Sequence, residues 1–253
     1  MSIHPISAVG FARGAAAYDR VRPEYPAEAL EWAVRTLGLR PGGSIVLDIG
    51  AGTGKLTRAL VARGLSVLAV DPSPEMLVRL REAVAGVDAR QGTAEAVPLA
   101  DAAVDVVTVA QAFHWFEPQA ALREIHRVLR PHGALALFSN SRELGDPVHA
   151  AWGKIVREAR RPVLERETLD ERAEIAESGL FGPLEEYEHR WTQHLLVDEF
   201  VDLIGSRSYV ACLNAPDRER ILVEVRALGE RLGEPIPFRY VTQVRVARGF
   251  DRA

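Results

Sequence analysis

Three glycines, Gly50, Gly52 and Gly54, follow the apolar run Ile45, Val46, Leu47 and Ile49 at alternate positions. A short, largely β-branched run fits a strand covered on both faces. Glycines directly after it let the chain turn sharply into a helix while bare backbone meets a ligand. Asp71 ends the next apolar run, seventeen residues past Gly54, near the ~20-residue spacing at which an acidic side chain accepts hydrogen bonds from ribose hydroxyls. Residues 92–95 and 111–116 follow two further runs, and the second of these stretches contains His114. Together these residues point to a nucleoside-bearing ligand. His114 is either a general base titrating near neutrality or a structural histidine in an aromatic cluster; Trp115 and Phe116 shape a pocket wall or belong to the core.

Two other glycine motifs fit less well. A dinucleotide fingerprint needs its third glycine or alanine where this chain has Lys55, which argues against a nucleotide-dependent oxidoreductase. A phosphate loop would need glycine in place of Ile49 and Ser or Thr in place of Leu56.

The elements that must position these residues alternate regularly. Apolar runs predict strands at 45–49, 66–70, 87–90, 104–110, 135–138, 184–196 and 240–247. Helical spacing predicts helices at 27–37, 56–62, 118–129, 147–176, 198–204 and 216–232, and another that Ser73 caps with Pro74 in its first turn. This order implies a parallel, doubly wound α/β sheet with right-handed crossovers. Ligands bind such sheets beyond the carboxyl ends of the strands, where the residues named above fall. In the strand at 184–196, Tyr187, His189, Trp191 and Gln193 share one side, and Glu186, Glu188 and Arg190 the other.

Length and composition bound the reading. The 253 residues, 47% of them hydrophobic, predict one large domain. A net charge of −4 offers no general attraction to nucleic acid or anionic lipid. Cys212 is the single cysteine, read as a buried apolar thiol, and a cysteine metal cluster is excluded. No stretch reaches membrane-spanning length and no basic, apolar leader opens the chain, so a cytoplasmic protein with no metal is expected.

Asp48-Ile-Gly50-Ala-Gly52-Thr-Gly54, Asp71, Gly92-Thr-Ala-Glu95 and Arg127-Val-Leu-Arg-Pro131 resemble the motifs of class I S-adenosylmethionine-dependent methyltransferases, across residues 18–140. The segments YDRVRPEYP, GTAEAVPL and AQAFHWF resemble the small-molecule subgroup that includes trans-aconitate methyltransferase. The resemblance implies a Rossmann-like, mostly parallel seven-stranded sheet whose last strand is antiparallel, and S-adenosyl-L-methionine as cofactor. It implies that Asp48, Gly50, Ala51, Gly52, Thr53 and Gly54 hold the methionine end and Asp71 the ribose. Pro72 and Met76 would pack on the adenine, Thr93, Ala94 and Glu95 would meet its edge, and Gln111 would lie near the sulfonium. Many relatives carry aspartate at the position of Thr93, and His132 replaces a turn glycine. Tyr18 and Arg22 match positions that cover the methionine end, within an arm at 1–26 preceding a core at 27–140. Residues 141–253 would supply a helical cap and the last two strands. Tyr25 and Phe116 would line the acceptor side. Arg207 and Tyr209 would hold an acidic acceptor or form an ordinary helix-end contact. The activity implied is methyl transfer to a small molecule, foremost to oxygen, with a carboxylate among the candidate acceptors; the alternative is a cofactor-binding protein without turnover.

Overall fold

The computed structural model describes residues 21–160 and 169–250. Tyr18 and most of the arm at 1–26 lie outside the described residues, as do Phe11, a further aromatic of the arm, the short helical turn that its sequence predicts at 15–20 ahead of Pro23, and Arg161 and Arg166 of the helix expected at 147–176.

The chain forms two compact units: a core unit of Glu24–Asn140, Leu169–His189 and Thr242–Ala253, and a second unit of Met1–Pro23, Ser141–Thr168 and Arg190–Val241. The core unit thus joins residues 24–140 to residues 169–189 and 242–250 from later in the chain. The elements are α1 (Ala27–Leu37), β1 (Ile45–Ile49), α2 (Lys55–Val61), β2 (Ser66–Asp71), α3 (Pro74–Ala83), β3 (Asp88–Gln91), β4 (Val104–Ala110), α4 (Pro118–Val128) and β5 (Leu129–Arg142), followed by α5 (Pro147–Ile155), a helical turn at Arg157–Arg160, α6 (Glu171–Ser178), β6 (Glu185–Leu195), α7 (Val197–Gly205), α8 (Ser208–Ala211), α9 (Ala215–Leu232) and β7 (Ile236–Arg248).

One seven-stranded sheet has the order β3-β2-β1-β4-β5-β7-β6. Its β3-β2-β1-β4-β5 portion is parallel. The strand order reverses at β1, and the glycine loop leaves β1 at this switch point, where open α/β sheets take their ligands. Alternate strand residues point to opposite faces, so both faces of the sheet are apolar. Leu47, Ile49, Val107 and Leu135 pack with Leu122 and Ile125 of α4. Val46, Val106 and Ala136 pack with Leu30 of α1 and with Leu56 and Leu60 of α2. Burying each such Leu or Ile contributes ~1.5–3 kcal/mol, so the loop stands on strands buried on both faces.

In the second unit, α7 and α9 pack together, and Phe200, Leu203, Ile204 and Val225 are fully buried. Trp152, Phe238 and Tyr240 form an aromatic group, with ring centroids 6.3 Å apart for Trp152 and Phe238 and 5.1 Å apart for Phe238 and Tyr240.

Three differences from the sequence expectations stand out, the first two with local causes. The fifth strand runs through Pro131, His132 and Gly133 because the chain takes a left-handed step at His132, φ 63°; the β4–β5 register shifts between Val104 and Val106 to absorb it. The single helix expected at 147–176 is instead interrupted, and α6 starts afresh where the Asp170 side chain accepts from Arg172 N and Ala173 N. Cys212 is half-buried at the end of α8.

Candidate active site

The loop after β1 is pinned from three directions. Gly50 N and Ala51 N donate to Val70 O of β2 at 2.8 and 3.2 Å. Gly52 N donates to Asp71 Oδ2 at 2.8 Å. Gly50 has φ 69°, and a Cβ there would lie 2.6 Å from Ala112 Cβ and 3.5 Å from Phe116 Cζ. Any side chain at Gly50 would therefore push the loop off the segment that follows β4. Gly52 also has a positive φ, 56°, but among the described residues nothing lies within 4 Å of where its Cβ would be. Its bare backbone faces open space, which suits a ligand lying across the loop.

Asp71 is 6% exposed. Its Oδ1 accepts from Ser73 N at 2.9 Å, and Ser73 in turn caps α3 through Met76 N. One carboxylate thus fixes both the glycine loop and the start of the next helix. Burial raises its pKa, and the N–H groups of Ser73 and Gly52 oppose the rise. A carboxylate has about four lone-pair positions, so two remain for hydroxyl donors.

Asp48 occupies a different place from the one expected of a ligand-contacting group. It is fully buried at the end of β1, where Oδ2 accepts from Thr57 Oγ1 at 2.6 Å and Oδ1 from Thr108 Oγ1 at 3.0 Å. Burial pushes its pKa up to about 6, against the lowering effect of both hydroxyls. Its side chain ties β1 to α2 and β4 beneath the loop, so any part it takes in ligand binding is indirect. Thr57 and Thr108 are the residues that sequence reasoning missed. Thr108 left a signal: a polar residue inside the apolar run VDVVTVA, in register with Asp48.

After β4 the chain takes a left-handed step at Gln111, φ 57°, a conformation uncommon for a residue with a Cβ and concentrated at functional places. Gln111 N donates to Phe138 O at 2.9 Å and its Nε2 to Asn140 O at 3.0 Å. A 3-10 turn, Phe113–Trp115, follows. His114 and Trp115 are half-buried with ring centroids 4.9 Å apart; Phe116 packs edge-on to Phe113 at 5.8 Å.

The remaining expected residues are spread unevenly. Thr53 and Ala94 are buried, and Pro72 and Thr93 half-buried. Met76 is 4% exposed, so only an edge of it can face a ligand. Glu95 Oε1 accepts from Glu117 N at 2.9 Å, at the start of α4. Tyr25 packs edge-on to Phe138 at 5.6 Å. Arg22, expected over the methionine end, belongs to the second unit, where its Nε donates to Ser206 Oγ at 3.0 Å and a terminal nitrogen to Ser206 O at 2.9 Å. Tyr209 is buried in α8. Lys55, the lysine that makes GTGK look like a phosphate loop, pairs with Glu24 at 3.0 Å, as does Arg58 at 2.8 Å. Among the described residues, no group of three or more His, Cys, Asp or Glu could hold a metal ion, and no helix is long and apolar enough to cross a membrane.

Residues 47–137 match the family model described as a methyltransferase domain. The chain is 43% identical over 220 residues to an uncharacterised methyltransferase of Mycobacterium tuberculosis, covering 87% of this chain and 85% of that protein. It is 38% identical over 152 residues to a malonyl-[acyl-carrier protein] O-methyltransferase of Methylococcus capsulatus, covering 57% of this chain and 54% of that one. Among solved structures, the fold is similar to that of a Haemonchus contortus phosphoethanolamine N-methyltransferase bound to S-adenosylhomocysteine, with TM-score 0.60, 16% identity and coverage of 99% of this chain and 61% of that one. A strand-end glycine loop with open space above Gly52, a buried Asp71 with lone pairs to spare and these sequence relations agree: the chain belongs to the class I S-adenosylmethionine-dependent methyltransferases.

Proposed function

We propose that the protein methylates an oxygen of a small organic acid, its carboxylate being the acceptor. The observation that carries the donor half of this reading is the Gly52 backbone, held by Asp71 and open above. Residues 50–54 would hold the methionine end and the spare lone pairs of Asp71 the ribose hydroxyls. Pro72, the edge of Met76, Thr93 and Ala94 would border the adenine, and Gln111 would stand near the sulfur. Glu95 would act through the start of α4 and Asp48 from beneath the loop. When bound, S-adenosylmethionine supplies an activated methyl electrophile, so the protein has to align a nucleophile and exclude water. Tyr25, Trp115 and Phe116 supply apolar surface for the second task. The acceptor half is supported by the O-methyltransferase relatives, whose named substrate is an acyl group carrying a carboxylate. The acidic balance of the chain supports a small molecule over nucleic acid, and the reading places the protein in the cytoplasm.

A carboxylate with an ordinary pKa near 4 is already ionised at neutral pH, so this acceptor needs no base. His114 then orients the acceptor among the aromatic rings. Replacing it, His114→Asn, is expected to lower kcat by less than about tenfold and to leave the pH profile flat above pH 6. A fall of about a hundredfold with a new pH limb would mark a base-requiring hydroxyl acceptor instead. The direct test incubates the protein with methyl-labelled donor and a panel of small carboxylic acids, alcohols and amines. A carboxylate ester releases its label as volatile methanol in mild base; label that is stable to base on every acceptor would overturn the proposal.

A further inference from the structure

Among the described residues, three buried side-chain atoms lack a hydrogen-bond partner: Arg207 Nε, Tyr240 Oη and Gln193 Oε1. All three belong to the second unit. Native proteins pair nearly all such atoms, and exceptions call for a specific explanation. Arg207 acts electrostatically on the Tyr240 phenol, and Gln193 is linked to both through shared neighbours. Gln193 Nε2 donates to Val21 O at 3.2 Å, and the adjacent Arg22 is clamped on Ser206, which precedes Arg207. The Arg207 guanidinium lies 5.6 Å from the Trp152 ring centroid, and Arg142 shares that ring at 5.0 Å. His149 bridges to Tyr240, with ring centroids 6.2 Å from Trp152 and 6.4 Å from Tyr240, and Trp191 stacks on Tyr240 at 5.1 Å.

The charge of this group is positive. His149 accepts from Trp152 Nε1 on Nδ1 and therefore donates from Nε2 to Arg239 O; burial lowers its pKa, so it adds no charge. Among the described residues, Asp146 pairs with Arg239 and Glu143 with Arg190. Arg207 and Arg22 both act electrostatically on the Tyr240 phenol, whose own pKa burial raises. The phenol thus remains a proton donor at neutral pH.

We infer that the second unit carries a binding site for a small organic carboxylate, held by Arg207 and Tyr240, with Gln193 accepting a hydrogen bond from a hydroxyl on the same ligand. Two donors without partners, one of them charged, match in number the two oxygens of a carboxylate. The aromatic surroundings suit the carbon skeleton of an organic acid. Inorganic phosphate has no carbon skeleton to set against the aromatic rings and is the less complementary anion. The site uses Tyr240 where the sequence pointed to Tyr209. It rests on the proposed function only in naming the bound acid as the methyl acceptor.

The test uses the full chain and calorimetry at fixed ionic strength, with malate, 3-hydroxybutyrate, succinate, the uncharged diamide of malate, and inorganic phosphate as probes. At least one hydroxy acid is expected to bind saturably, more tightly than succinate, with the diamide and phosphate silent. Arg207→Gln and Tyr240→Phe are each expected to weaken that acid about tenfold or more, the scale of a charge-assisted bond, while S-adenosylhomocysteine binding stays unchanged. Tyr240→Phe removes an atom without a partner, so it leaves folding intact. No saturable carboxylate binding, tighter binding of phosphate, or affinities indifferent to both substitutions would each overturn the inference. A bound hydroxy acid that never acquires labelled methyl would leave the site standing and remove only its role as acceptor.

Discussion

Replacing Asp71 by alanine is expected to weaken S-adenosylhomocysteine binding by ~3–4 kcal/mol, about a hundred- to a thousandfold. The size follows from how many partners meet on one side chain. Gly52 N and Ser73 N both donate to it, at 2.8 and 2.9 Å, and hydrogen bonds to a charged acceptor contribute ~1.5–3 kcal/mol each. The ribose contact would be lost in addition. Alanine therefore removes a ligand contact and also frees the loop and the first turn of α3. Asp71→Asn keeps one acceptor oxygen but sets an NH2 against a backbone N–H, so it should recover little of the loss. Calorimetry together with circular dichroism checks this: affinity close to wild type in a folded Asp71→Ala protein would strip the residue of its assigned role.

The second large effect concerns Asp48 and stability. Its carboxyl keeps its proton up to about pH 6 when folded, against an ordinary 3.8. Between those values the folded chain binds more protons than the unfolded chain. The contribution of this group is therefore fully present below about pH 4 and is lost as pH rises through 6. The rise from 3.8 to about 6 corresponds to about 3 kcal/mol. Asp48→Asn never ionises, and its amide can still bond Thr57 and Thr108 because hydroxyls both donate and accept. Urea unfolding from pH 4 to pH 7 should show the variant gaining about 3 kcal/mol on the wild type as pH increases. Parallel stability curves would mean that Asp48 titrates normally.

Much of this architecture is visible in the sequence because its physics is local. The run VDVVTVA marks β4 at its observed ends, and Ser73 with Pro74 marks the start of α3, because strand burial and helix capping act over a few residues. The glycine loop is legible for the same reason: positive φ at Gly50 and Gly52 favours residues without a Cβ. What stayed hidden depends on partners distant in sequence. Whether Asp48 faces a ligand or the interior is decided by Thr57 and Thr108. That Arg22 bonds Ser206 depends on a residue 184 positions away. Tyr240 reads as an ordinary strand aromatic until the surroundings of its hydroxyl are known. The reach of β5 beyond 135–138 was hidden by Pro131, His132 and Gly133, which read as a turn but lie within a strand that steps around them.

The sheet order carries a consequence for how the chain acquires its structure. β6 has β7 as its neighbour in the sheet, and β7, the last described strand, also separates β6 from β5. During synthesis the five strands from β3 to β5 can pair as they emerge, whereas β6 must wait through α7, α8 and α9 for its partner. Until then its backbone N–H and C=O groups form an open edge, the feature through which strands associate wrongly between chains. Pairing across so long a stretch is also slow. A ribosome pausing within α9 would thus prolong the interval in which this chain is most prone to aggregate.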